Sequence, residues 1–87
     1  MPKIARELLL EQFDGRCAYC RATATTWDHL TPIARGGKTE PGNIVPACIS
    51  CNSSKNASVL ITWLERTGRV PNAALWDVLA LGEDGAE

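Results

Sequence analysis

Two C-x-x-C pairs, Cys17/Cys20 and Cys48/Cys51, stand 27 residues apart in a chain of 87. Two thiolates three positions apart on a tight knuckle can grip one ion at ~2.3 Å, and two such knuckles complete a tetrahedral zinc site with no open position. Such a site is structural. A chain this short buries only about 60–68% of its unfolded surface, so its core alone is marginal and a staple is expected. Zinc supplies one, because a structural ion contributes ~10 kcal/mol or more of folding free energy. Disulfides are not expected in a small cytosolic chain, and a redox-active pair would need a βαβ context that this sequence lacks. Four thiolates around Zn²⁺ leave a formal charge of −2, which Arg16 and Arg21, flanking the first knuckle, are placed to offset.

The chain reads as a single domain over residues 1–87, with an acidic tail at 82–87. Its apolar content of 45% is that of a globular protein rather than a disordered one. No apolar run approaches the ~20 residues that span a bilayer, and no secretory signal precedes the first knuckle, so a cytoplasmic protein without a membrane partner is expected. The net charge of −1 hides an uneven distribution. Residues 16–69 carry +4 and residues 70–87 carry −4, so a polyanion would dock on the middle segment.

Ile4, Leu8, Leu9 and Phe13 recur at helical spacing after Pro2, and Asp14-Gly15 ends that first helix. Residues 24–28 (ATTWD) and 43–47 (NIVPA) are β-prone and separated by Pro32, Gly36, Gly37, Pro41 and Gly42, which predicts two strands joined by a long loop. From Ser50 the pattern predicts one helix to Thr67, with Leu60, Trp63 and Leu64 as its core stripe and Gly68 as its stop. A last helix is predicted over residues 72–81, burying Leu75, Trp76, Val78 and Leu79, with Gly82 opening a frayed tail. The class is α+β: a small two-stranded core on a metal knuckle, flanked by helices.

His29 is the sole histidine, and a site filled by four cysteines has no use for it. Asp28 sets a carboxylate beside the imidazole. Asn43 begins the second strand, where it could fix the loop and the histidine's orientation, and Asn52 follows the last cysteine directly. Alone, each has an ordinary role available: turn residue, helix cap, surface charge. Together, CAYC, WDHLTPIARGG, GNIVPAC and CNSSK resemble the HNH endonucleases, the zinc-bound branch of the ββα-metal (His-Me finger) nucleases, over residues 17–55. The resemblance implies a ββα-metal core, with the metal-binding acid at Asp28, the general base at His29, the central asparagine at Asn43 and the last motif position at Asn52. These four are the catalytic candidates. Asn52 stands where many members have His, which makes the chain an H-N-N variant and leaves the catalytic ion more open.

Phosphodiester hydrolysis needs a base to deprotonate water and a cation to stabilise charge on the phosphorane and the departing oxygen. Histidine offers a base near neutral pH. The oxygens of Asp28 and Asn52 suit Mg²⁺ or Mn²⁺, completed by water and substrate phosphate. One constraint follows from strand geometry: adjacent residues face opposite ways, so the strand must end or distort around Asp28 and His29 if both are to reach one phosphate. Lys55, one turn beyond Asn52, and Arg35 and Lys38 in the loop are the candidate phosphate contacts. The resemblance implies DNA as partner, nicking by a monomer, and double-strand cleavage by a homodimer or successive nicks. Phage packaging, restriction and homing contexts, with other phage or bacterial proteins as partners, are equally compatible. The rival readings are a non-catalytic zinc module that binds nucleic acid or protein, and a nuclease module of a larger assembly.

Overall fold

The computed structural model describes residues 3–84, so Pro2 of the expected first turn and residues 85–87 of the expected tail lie outside the described residues. The chain runs α1 (Lys3–Gln12), β1 (Thr26–His29), a 3-10 turn (Ile33–Arg35), β2 (Ile44–Ala47), α2 (Ile49–Lys55), α3 (Leu60–Thr67) and α4 (Ala74–Asp84). The class is α+β, with a ββα unit formed by β1, β2 and α2. Among the described residues no helix is long and apolar enough to cross a membrane.

The strands pair antiparallel, Thr26 opposite Ala47 and His29 opposite Ile44. β1 begins two residues later than the pattern predicts and runs one residue further. Ala24 is drawn away from the ladder by the Gly15 carbonyl, to which its amide donates at 2.9 Å. At the far end the ladder holds to His29, and the Leu30 amide then donates to the Asn43 carbonyl at 2.8 Å. β2 carries Pro46, which a two-stranded sheet tolerates because one side of the strand needs no donor there. The Pro46 carbonyl accepts the Ala18 amide at 2.9 Å, so the first knuckle hangs from β2.

The predicted 50–67 helix is broken. α2 stops at Lys55, Asn56 takes φ +47°, and α3 starts afresh at Leu60. The run Asn56-Ala57-Ser58 holds no side chain that anchors in the core, and the Ser58 amide closes the turn on the Lys55 carbonyl at 2.9 Å. The reversal lets α3 lie back on α2, where the Trp63 indole donates to Ser54 Oγ at 3.0 Å. Leu60, Trp63 and Leu64 are buried as predicted, and Trp63 meets Tyr19 edge to face at 5.1 Å. Gly68, at φ +67°, ends α3.

α4 starts two residues late because Asn72 caps it, accepting the Ala74 amide at 3.1 Å while its own side-chain amide donates to the Phe13 carbonyl. It continues through Gly82 to Asp84 rather than fraying at residue 82. Leu75 and Val78 are buried and Leu79 half-buried, but Trp76 is 49% exposed. One position past Leu75 is ~100° round the helix, which turns Trp76 off the core face. The same offset on α1 leaves Leu8 exposed while Leu9 and Phe13 are buried.

Candidate active site and metal centre

The four cysteine sulfurs come within 4.8 Å of one another, compatible with a structural zinc ion. Amides support them: Tyr19 N–H donates to Cys17 Sγ at 3.3 Å and Cys51 N–H to Cys48 Sγ at 3.4 Å. Burial pushes the Cys17 and Cys51 thiols upward in the metal-free protein, so zinc must displace protons to bind. The cation that faces the cluster is Arg69, not the expected Arg16 or Arg21. Its Nε donates to Cys51 Sγ at 3.3 Å and its guanidinium stacks 4.6 Å from the Trp63 ring centre. Arg16 reaches Thr23 and Arg21 is exposed. Arg69 stands 18 residues beyond Cys51, with α3 between them, out of reach of local pattern reading.

Asp28 and His29 close β1 and diverge, as residues of an undistorted ladder do. Asp28 is 7% exposed and turns toward α2. Its Oδ2 accepts the Tyr19 hydroxyl at 2.5 Å and lies 3.0 Å from Lys55 Nζ. Burial, then the neighbouring Asp28 charge, holds the Tyr19 phenol far above its ordinary pKa, so it stays a donor. Asp28 Oδ1 takes no hydrogen bond among the described residues. It is not a stranded buried atom, so it keeps contact with solvent.

Lys55 overturns its expectation. A lysine on a short helix reads as a surface phosphate contact, yet this side chain is 0% exposed. Besides Asp28, its ammonium donates to the His29 carbonyl at 2.9 Å and lies 6.0 Å from the Tyr19 ring centre. α2 packs on β1, and the face that carries Lys55 is the inner one.

Asn52, one turn earlier on α2, is half-buried and donates through Nδ2 to the Trp27 carbonyl at 3.3 Å. That contact leaves its Oδ1 without a partner among the described residues. Two oxygen atoms, from Asp28 and Asn52, therefore stand unengaged on facing elements, while the other atom of each group is held. A donor set of one carboxylate and one amide oxygen fits a hard divalent ion and not zinc.

His29 lies on the loop side, half-buried, with Nε2 2.8 Å from Thr39 Oγ1. Sequence reading does not find Thr39, since a threonine in a loop carries no pattern. Asn43 spends its amide on loop backbone: Oδ1 accepts the Thr31 amide at 2.7 Å, and Nδ2 donates to the carbonyls of Thr31 (3.1 Å) and Lys38 (2.8 Å). It ties the loop, the place the sequence reading gives it, through backbone on both sides of the 3-10 turn. Gly37 permits the knot, because a Cβ there would come 1.7 Å from the Thr31 oxygen. Arg35 and Lys38 are exposed, and Arg35 Nε is tethered to the Ala57 carbonyl at 2.7 Å.

No curated protein matches the chain. Residues 17–58 match the family model for HNH endonucleases, a span that takes in both knuckles, both strands, the loop and α2. A nuclease-type domain acting on nucleic acid follows from that match. With the ββα order and the four-cysteine cluster inside the same span, residues 17–58 are an HNH endonuclease-type domain.

Proposed function

We propose that the domain is a metal-dependent endonuclease that hydrolyses DNA phosphodiester bonds, nicking one strand per site, with His29 as general base and a single Mg²⁺ or Mn²⁺ held by Asp28 and Asn52. The observation that carries the reading is that the HNH match takes in Asp28 and His29, the last two residues of β1, together with Asn52 on α2, which packs on β1, while one oxygen of Asp28 and one of Asn52 stay unengaged among the described residues. When bound, the divalent ion supplies charge stabilisation at the phosphate and the departing 3′-oxygen. The chain's own residues do the rest. With Nε2 engaged by the Thr39 hydroxyl, the His29 tautomer that donates there leaves the Nδ1 lone pair to take the proton of an attacking water. Asn43 and Gly37 hold the loop that carries Thr39. Arg35 and Lys38 offer exposed cations to backbone phosphates. The products carry 3′-hydroxyl and 5′-phosphate ends, as the family resemblance implies.

The test is supercoiled-plasmid nicking with a panel of divalent ions, run on wild type and His29→Ala. The variant should keep its fold, zinc content and DNA affinity while cleavage falls by roughly 10² to 10⁴, the usual worth of a general base. A variant that nicks at the wild-type rate would remove His29 from the mechanism.

A further inference from the structure

We propose that Tyr19 and Lys55 form a buried clamp on Asp28 Oδ2 that confines this carboxylate to one-oxygen coordination and so sets the site's preference for small octahedral ions over Ca²⁺. The inference rests on Asp28 being a ligand of the catalytic ion, as proposed above. A carboxylate has about four lone-pair sites, two on each oxygen. On Asp28, the Tyr19 hydroxyl at 2.5 Å and the Lys55 ammonium at 3.0 Å both fall on Oδ2 and occupy its two. Oδ1 alone is left for an ion.

The clamp is rigid because neither donor is free to leave. Tyr19 and Lys55 are fully buried, Tyr19 is packed edge to face on Trp63, and Lys55 is fixed a second time by the His29 carbonyl. Both clamp residues also come from structural parts of the fold: Tyr19 from inside the first cysteine knuckle and Lys55 from the last turn of α2. The scaffold thereby fixes which oxygen Asp28 presents. Ca²⁺ takes six to eight oxygens at 2.3–2.6 Å and commonly uses both oxygens of a carboxylate, whereas Mg²⁺ demands near-octahedral geometry at 2.0–2.1 Å and is satisfied by one oxygen with several waters. Closing Oδ2 removes a ligand that Ca²⁺ would use and Mg²⁺ or Mn²⁺ would not. Lys55 also cancels part of the carboxylate charge, which lowers affinity for every divalent ion and leaves geometry to discriminate among them.

The experiment is a titration of zinc-loaded protein with Mn²⁺, followed by electron paramagnetic resonance of the free ion, with Ca²⁺ as competitor. It is run on wild type, Tyr19→Phe, Lys55→Met and Asp28→Ala, each checked for zinc content and circular dichroism. Tyr19→Phe keeps the ring packing and opens one lone pair of Oδ2; Lys55→Met opens the other. In both, the Ca²⁺ concentration that displaces half the Mn²⁺ should fall about tenfold relative to that ion's own affinity, the lower end of what outer partners of a metal ligand are worth. Asp28→Ala should abolish Mn²⁺ binding. If Asp28→Ala abolishes binding but neither clamp variant moves the Ca²⁺ to Mn²⁺ ratio, the clamp is wrong and the proposed ligand role of Asp28 stands. Should Asp28→Ala bind Mn²⁺ as wild type does, both are wrong together. If one clamp variant does not fold, the other decides.

Discussion

Adjacent strand residues face opposite ways, and Asp28 and His29 obey that rule instead of breaking it. Of the two ways out that the sequence allows, an ended strand or a distorted one, the chain takes the first: β1 ends at His29, and the two side chains flank the end of a regular ladder. This shifts attention to what orients each group. For His29 that residue is Thr39, whose hydroxyl meets Nε2 at 2.8 Å. Thr39→Val, nearly isosteric but without the hydroxyl, should lower the nicking rate about tenfold and leave the thermal midpoint within a degree or two, while Thr39→Ser should restore most of the rate. Equal rates in all three proteins would show that Thr39 does not set the tautomer. Asp28, His29 and Asn52 stand out as candidates in the sequence because their types and spacing form a pattern. Lys55 was misread because lysine is almost never fully buried unless paired, and its partner Asp28 lies 27 residues away. Removing it strands a buried carboxylate, a loss of ~3–5 kcal/mol. Lys55→Ala therefore tests stability and not DNA affinity.

At the scale of elements, the strands and most helix limits could be read from period and punctuation, whereas the break between α2 and α3 could not. Residues 50–67 contain no Pro or Gly, and the signals that end α2 are tertiary: Lys55 pinned to Asp28 and Trp63 reaching Ser54. The predicted burial of Trp76 failed because an apolar cluster of four in five residues cannot all face one side of a helix. The loop between β1 and β2 shows the opposite case. Its glycines announced a turn, yet the reason for Gly37, a close approach to the Thr31 carbonyl, exists only in the folded chain. That loop carries Arg35 and Lys38 on its exposed surface. Lys38→Ala should weaken binding to DNA of any sequence and reduce the slope of log affinity against log salt by about one, since a phosphate contact carries no sequence information. Arg35→Ala should do the same and also loosen the tether to Ala57. An unchanged slope in both variants would move the DNA-facing surface off the loop.

The whole molecule is built around its cysteine cluster. The first knuckle hangs from β2 through Ala18, the second knuckle caps α2 through Cys48, and Arg69, just beyond α3, reaches Cys51 while stacking on Trp63 of α3. Tyr19 links the cluster to Asp28, so the structural centre and the candidate active site share one wall. The two metals should nevertheless separate cleanly. Four thiolates in a closed site exchange slowly, while an ion held by two side-chain oxygens exchanges fast. Brief treatment with EDTA should stop nicking while circular dichroism still reports a folded protein, and Mg²⁺ or Mn²⁺ should restore the activity. Longer chelation, or Cys48→Ser, should instead remove zinc and unfold the chain, with a loss on the order of the ~10 kcal/mol a structural zinc contributes. Because the buried thiols of Cys17 and Cys51 hold their protons tightly, zinc competes with protons, and its release under chelation should accelerate as pH falls. If activity and fold are instead lost together at every chelation time, the domain contains one metal centre and not two.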